Sequence, residues 1–260
     1  MKRMSRSGIE YLDYTWGVFS GCQNMPRGIC PVKACWALAI TQRFKNHYPD
    51  GFSPRFYPEA LDSPRQLRKS SRIGVGWVGD VIGYGWRWRR QIYEVIRDCP
   101  QHKFLFLTKN PERLQLWGTF PANAWVGVSV TGSKDYGQAI DALSEVKASI
   151  KFLSFEPLLE WGSELDECWE EGLEGINWVI IGAQTAPVRL PEIEWVHSIV
   201  GAADLAGSLV FMKDNIDTRI ISQNAGEVSR LARVLDQEDE TILEMELRQE
   251  VPGDADTLWD

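Results

Sequence analysis

Three cysteines, Cys22, Cys30 and Cys35, fall within fourteen residues of the stretch GVFSGCQNMPRGICPVKACWALAITQRF, which runs from Gly17 to Phe44. Thiolates are the soft ligands of zinc and of iron–sulfur clusters. A structural zinc site wants four ligands, commonly from paired Cys-x2-Cys knuckles. Here seven residues separate the first two cysteines and four separate the second two. Of the three histidines, His47, His102 and His197, the nearest is His47, twelve residues beyond Cys35, so a Cys3His zinc site is one reading. A cubane cluster is the other. Three cysteines leave one of its irons without a protein thiolate, an open position of the kind that marks a reactive metal site. Free cysteine also packs as a small buried hydrophobe, yet these three share a loop with Pro26, Gly28 and Pro31. Cys99 and Cys168 stand alone, and an odd total of five does not suggest a secreted disulfide framework.

Elements that could position such a site recur along the chain. Apolar, often β-branched runs end in polar residues: Arg72–Asp80, Lys103–Leu114, Ala124–Asp135, Ile150–Leu159, Ile176–Thr185 and Ser208–Asn215, with Asp13–Gly21 as an earlier candidate. Their hydrophobicity is nearly continuous, as expected of strands buried on both faces of a parallel sheet. Helical stretches are expected at Gln91–Asp98, Gln138–Glu145 and Ile193–Ala206. Alternating strand and helix means an α/β fold with right-handed crossovers, and about seven strands fit a full or partial (β/α) TIM-like barrel with parallel strands. Each run turns polar at its C-terminal end: Asp80, Thr108 and Lys109, Ser129 and Thr131, Glu156, Gln184 and Thr185, Lys213 and Asp214. In parallel α/β folds that end is where ligands bind.

Of the 260 residues, 44% are hydrophobic and 25% charged, an ordinary globular balance. The net charge of −8 is unevenly spread, because Leu235–Asp260 has ten acidic residues against one arginine. Residues 1–234 are therefore read as a near-neutral barrel carrying the cysteine loop, and 235–260 as a solvated acidic tail. No run approaches the roughly 18 apolar residues of a membrane span. Met1–Arg6 is basic but leads into no apolar segment, so the expected location is cytoplasmic, with no membrane partner.

The order GIEYLDYTW…SGC…CxxxxCWA, then LTKNPERL, WVGVSVT, FLSFEPLL, WVIIGAQT and VFMKDN, resembles a phage and prophage family with a three-cysteine motif. Its members are described as radical S-adenosylmethionine (SAM) proteins similar to spore photoproduct lyases. The resemblance covers Gly8 to Ile216. It implies a partial (β/α) barrel with a [4Fe–4S] cluster held by Cys22, Cys30 and Cys35, its fourth iron chelating SAM. Reduction by an electron donor would split SAM to methionine and a 5′-deoxyadenosyl radical that takes hydrogen from a substrate. By the same resemblance, Gly79 and Asp80 would hold the methionine end, and Ser129, Thr131 and Glu156 would face the ribose or adenine. Thr108, Lys109, Gln184 and Lys213 would reach the substrate, with Glu156 and Lys213 the candidate catalytic side chains. Two features depart from the pattern. Relatives typically have six and then two residues between the cysteines, and many read Gly-Gly-Glu-Ser where this chain has Gly182-Ala183-Gln184-Thr185.

GYGWRWRR (Gly83–Arg90) mixes aromatics with arginines, a composition that can stack bases and neutralise phosphate. It brings nucleic acid in as a substrate class, although a near-neutral body lacks the many cations of tight nonspecific binding. PRQLRKSSR (Pro64–Arg72) reads as a surface helix and loop, and no P-loop, Gly-x-Ser-x-Gly or His-Glu-x-x-His motif occurs. Besides a radical SAM enzyme, the composition admits a non-catalytic nucleic-acid-binding protein stabilised by zinc or a cluster.

Overall fold

The structure, a computed structural model, describes residues 4–162, 173–216, 232–234 and 245–253. In chain order its first half contains strands β1 (Met4–Arg6), β2 (Tyr14–Trp16) and β3 (Phe19–Gly21), helix α1 (Trp36–Arg43), and strands β4 (Arg55–Phe56), β5 (Arg72–Val75) and β6 (Val78–Gly79). Helices α2 (Val81–Tyr84) and α3 (Arg89–Asp98) and strands β7 (Lys103–Thr108) and β8 (Ala124–Ser129) follow. Helix α4 (Ser133–Ser144) leads to strands β9 (Ile150–Phe155), β10 (Trp178–Ile181), β11 (Gln184–Thr185) and β12 (Val188–Arg189). Helix α5 (Ile193–Ala206) and strands β13 (Leu209–Met212), β14 (Ala232–Val234) and β15 (Met245–Leu247) complete the described elements.

The fold is mixed α/β around a large, mostly parallel sheet of eight strands in the order β1-β2-β5-β7-β8-β9-β10-β13. Strand β1 runs antiparallel to β2, while the pairs β2–β5, β5–β7, β7–β8, β9–β10 and β10–β13 are parallel. Among the described residues no pairing joins β1 to β13, so the order has two ends. The continuous apolar runs earn their burial: Phe104, Leu105 and Phe106 of β7 and Val179, Ile180 and Ile181 of β10 are fully buried. Side chains of this size each contribute roughly 1.5–3 kcal/mol when removed from water. Among the described residues, no helix is long and apolar enough to cross a membrane.

The chain divides into two compact units, residues 1–129 with 141–151, and residues 130–140 with 152–260. In the first, two of the apolar runs do not stay in one sheet. Asp13–Gly21 splits into β2 and β3, and Arg72–Asp80 splits into β5 and β6. The second split occurs at Gly76, whose φ of +67° suits glycine and where a Cβ would meet the Val81 side chain at 2.9 Å. The first half of each run pairs in the large sheet, Tyr14–Trp16 beside Ile73–Val75. The second halves form a small sheet in the order β4-β3-β6. This device sets up the cysteine site.

In the second unit, α5 spans the expected Ile193–Ala206 and ends at Gly207 in the left-handed conformation. Helix α4 begins at Ser133, ahead of the expected Gln138, and Asp135 in its first turn accepts the Thr131 backbone N–H at 3.1 Å. Part of the segment read as an acidic tail is packed. The Met212 N–H donates to the Arg248 carbonyl at 2.8 Å, and the Glu250 N–H to the Val210 carbonyl at 2.9 Å. Glu250 is buried, its carboxylate accepting the Val210 N–H at 2.6 Å and lying 3.0 Å from Arg248 Nε. The rest of 235–260, apart from 245–253, lies outside the described residues.

Candidate metal centre

Strand β3 ends at Gly21 and β6 at Gly79, and the two strands run parallel with Gly21 opposite Gly79. The next residues, Cys22 and Asp80, therefore leave the small sheet side by side. The approach requires glycine on both strands. A Cβ on Gly79 would lie 2.4 Å from the Gly21 carbonyl oxygen, and one on Gly21, at φ +88°, would lie 2.2 Å from that of Ser53. Gly79 thus acts through backbone contact.

Asp80 is buried, and four groups of its own chain occupy its carboxylate. The Gly83 N–H donates at 2.8 Å, capping α2, and the Thr108 hydroxyl at 2.9 Å to each oxygen. The Asn24 side-chain amide donates at 2.7 Å and the Lys109 backbone N–H at 3.2 Å. Burial is the dominant influence and raises the Asp80 pKa, while these hydrogen bonds oppose the shift. Asp80 and Thr108 thereby tie the end of β7 to the cysteine loop.

The loop is organised by Asn24, which is 2% exposed. Its backbone N–H reaches the Cys22 sulfur at 3.3 Å. Its carbonyl accepts the N–H groups of Ile29 and Cys30 at 2.8 and 3.2 Å, and its side-chain oxygen accepts the Tyr84 hydroxyl at 2.9 Å. Sequence reasoning missed Asn24 and Tyr84. The one local signal was an asparagine two residues after a cysteine, where a backbone N–H can turn back onto the sulfur.

All three sulfurs belong to half-buried free cysteines. Burial, then the Asp80 charge, pushes the Cys22 thiol up to about 12, opposed by the Asn24 N–H, while Cys30 and Cys35 raise it further. Burial also raises Cys30, Lys109 opposes that shift, and Cys35 and Asp80 add to it. Cys22 and Cys30 therefore both feel Cys35 and Asp80, and Cys30 also feels Lys109. Three sulfurs on one tetrahedral zinc would lie about 3.8 Å apart, given Zn–S bonds of about 2.3 Å. Among the described residues no group of three His, Cys, Asp or Glu side chains is arranged to hold a single ion. Cys35 stands at the N-cap of α1.

A family model described as protein of unknown function (DUF5131) matches residues 6–242. The chain belongs to that family. No curated protein matches it.

Other candidate residues of this DUF5131 member are distributed as follows. Ser129 ends β8, is 5% exposed, and its hydroxyl has no hydrogen-bond partner among the described residues. An orphaned buried hydroxyl at a strand's C-terminal end is unusual, because such groups are nearly always paired. In the second unit, Lys213 Nζ meets Glu156 Oε1 at 2.5 Å, the two side chains 12% and 21% exposed. Gly182 of the neighbouring strand end admits them, since a Cβ there would lie 3.0 Å from Lys213 Cδ and 3.1 Å from Glu156 Cγ. Thr131 directs its hydroxyl to Asp135 at 2.5 Å, and the Gln184 amide donates to the Pro187 carbonyl at 2.7 Å within the β11–β12 hairpin. In GYGWRWRR, Trp88 stacks on Phe56 with centroids 5.0 Å apart, and Arg87 lies over Trp86.

Proposed function

We propose that this DUF5131 member is a radical SAM-type iron–sulfur enzyme whose Cys22, Cys30 and Cys35 hold a [4Fe–4S] cluster with one iron left open. We also read its large sheet as a partial (β/α) barrel. The observation that carries the proposal is the thiol trio in the loop between β3 and α1. Cys30 and Cys35 both act on the Cys22 thiol, so the three cysteines lie near one another. The donor set is chemically right, since thiolates are the ligands of cubane clusters. The Asn24 N–H on Cys22 would stabilise a ligated sulfur, and Lys109 would offset its negative charge. When bound, the cluster and SAM supply reductive cleavage of a sulfonium and hydrogen abstraction.

The chain's own residues do the positioning. Asp80 orients the Asn24 amide and fixes the loop to β7. Ser129 offers an unused hydroxyl for a polar ligand, consistent with a cofactor role. Glu156 and Lys213 form an acid–base pair at the ends of β9 and β13, whose role in the reaction we leave with the unidentified substrate. Nucleic acid is the substrate class to test first. Free thiols and a reducible cluster suit the cytoplasm.

Anaerobic reconstitution with iron and sulfide tests the proposal. A brown protein with about four irons per chain that forms 5′-deoxyadenosine from SAM with dithionite supports it, and Cys30→Ala abolishes both properties. Stoichiometric zinc in a colourless, SAM-inert protein replaces it with the zinc-stabilised binding protein.

A further inference from the structure

The Glu156–Lys213 pair joins strands that are not neighbours, since β10 runs between β9 and β13. Ile181 of β10 pairs with Phe155 on one side and with Met212 on the other, so Glu156, Gly182 and Lys213 stand in one row at the strand ends. Two strand spacings, about 10 Å, separate the outer strands. The 2.5 Å contact therefore forms only if the side chains reach toward each other over β10. Gly182 keeps that path open, with Lys213 Cδ 3.0 Å from where a Cβ would stand. The backbone ladder ends at this row. The Lys213 N–H donates to the Ile181 carbonyl at 2.9 Å, and by Ile216 the chain has turned, its N–H returning to the Lys213 carbonyl at 2.9 Å. Beyond Lys213 the side chain of Asn215 takes over. Its oxygen accepts the Ala183 N–H at 3.0 Å, and its NH2 donates to the Ala183 carbonyl at 2.9 Å. One amide thus imitates strand pairing with the residue next to Gly182. Asp214, within the same turn, accepts the Gln249 amide at 2.7 Å.

Resting on the function proposed above, in which Glu156 and Lys213 are the acid–base pair, we propose that Asn215 is the positioning residue of that pair. It fixes the turn that carries Lys213, and so holds the ammonium over Gly182 and on the Glu156 carboxylate. Lysine is among the side chains with the most rotamer freedom to lose, and a reacting group must be held to within about 0.5 Å of its working position. The reach over β10 leaves little slack, so a shift of the Lys213 backbone breaks the contact. A side-chain amide is suited to the task because it carries a donor and an acceptor in one plane. Alanine offers neither, and the single hydroxyl of serine can engage only one of the two Ala183 groups at a time. The competing reading is that Asn215 merely closes a turn, in which case its loss lowers stability and leaves Lys213 on Glu156.

Labelling of the full chain with trace acetic anhydride, read lysine by lysine by peptide mass spectrometry, tests this without iron or SAM. Lys213, with 12% of its side chain exposed and an ion-pair partner, is expected to react about tenfold or more slowly than Lys134, which is exposed on α4. Glu156→Gln removes the partner and sets the rate of a released Lys213. Asn215→Ala is expected to bring Lys213 to within about twofold of that rate, with the Lys134 rate and circular dichroism unchanged. Asn215→Ser is expected to fall between parent and Asn215→Ala. The inference is overturned if Asn215→Ala leaves Lys213 as slow as in the parent, if Glu156→Gln does not speed it, or if Lys213 and Lys134 already react alike in the parent. Should Asn215→Ala speed both lysines together, the variant has unfolded and Asn215→Ser decides. A rise confined to Lys213 then supports the inference, and an unchanged Lys213 overturns it. Such a failure sinks the role of Asn215 alone, whereas absent iron and absent SAM cleavage sink the proposed function and leave the labelling rates as measured.

Discussion

Asn24→Asp changes one group, turning an amide NH2 that donates to Asp80 into a carboxylate oxygen. The donor and acceptor lie 2.7 Å apart, so the variant sets two carboxylates against each other in a buried position. Left doubly ionised, the pair would repel by about 6 kcal/mol at an effective dielectric constant of 20. Taking up one proton avoids this and restores an O–H···O bond. Holding that proton at pH 7.5, against an unfolded carboxylate pKa of about 3.9, costs about 1.4 kcal/mol per pH unit, or roughly 5 kcal/mol. Protonation is the cheaper route, so it sets the loss.

The sign follows from linkage. The folded variant binds a proton that the unfolded chain releases, so its stability falls as pH rises above about 4. Burial already raises Asp80 in the parent chain, so the deficit relative to it is at most about 5 kcal/mol at pH 7.5 and at most about 2 kcal/mol at pH 5.5. Urea unfolding of both proteins under reducing conditions, followed by tryptophan fluorescence at the two pH values, measures the double difference. A deficit that does not shrink on acidification, or one below about 1 kcal/mol at pH 7.5, would show that Asn24 does not face Asp80 in a buried site.

Gly79→Ala drives a Cβ to 2.4 Å from a Gly21 backbone oxygen that cannot swing aside. We expect a loss of about 3 kcal/mol or more together with failure to retain iron, read by urea unfolding and metal analysis. Glu250→Ala leaves the buried Val210 N–H without its carboxylate acceptor and Arg248 with Asp204 alone. It should lose about 3 kcal/mol, and a melting temperature equal to that of the parent would mean residues 248–250 do not pack. Burial holds His102 below its usual 6.5, so the unfolded chain protonates first. Stability is then unaffected above about pH 6.5 and declines below it by at most about 1.4 kcal/mol per unit, a slope that His102→Gln removes in urea titrations.

Sequence reading found what depends on local pattern. Helix α5 and the buried cores of β7, β8 and β10 were legible because period and continuous hydrophobicity report burial directly. The splitting of Asp13–Gly21 and Arg72–Asp80 was not. A run remains apolar whether or not its second half joins another sheet, and only the glycines mark the turn. The same limit applied to the site. Cysteines announce themselves by type, but the role of Asn24 comes from Asp80 and Tyr84, distant in sequence. For Asp80 the place at a strand's end was legible, but the four donors of its own chain that its oxygens face were not. The stacking of Trp88 on Phe56 was equally hidden.

The unusual cysteine spacing has a physical resolution in the same network. Seven intervening residues would hold Cys22 and Cys30 far apart if the chain ran extended. It does not. The Gly28 N–H closes a turn onto the Met25 carbonyl at 3.0 Å, and the Ile29 and Cys30 N–H groups both return to the Asn24 carbonyl. Cys30 is thus drawn back to a residue whose own N–H touches the Cys22 sulfur. The four residues before Cys35 then lead into α1, whose first position follows that cysteine. Sequence distance along the loop is therefore a poor measure of the separation of the sulfurs, because a backbone turn absorbs the additional residues. Asn24 carries the device, since its carbonyl closes the turn while its side chain, held by Asp80 and Tyr84, fixes where the turn sits. The cubane proposed above would need its ligands at set positions in space, and an internal anchor is what would take up the slack of a longer loop.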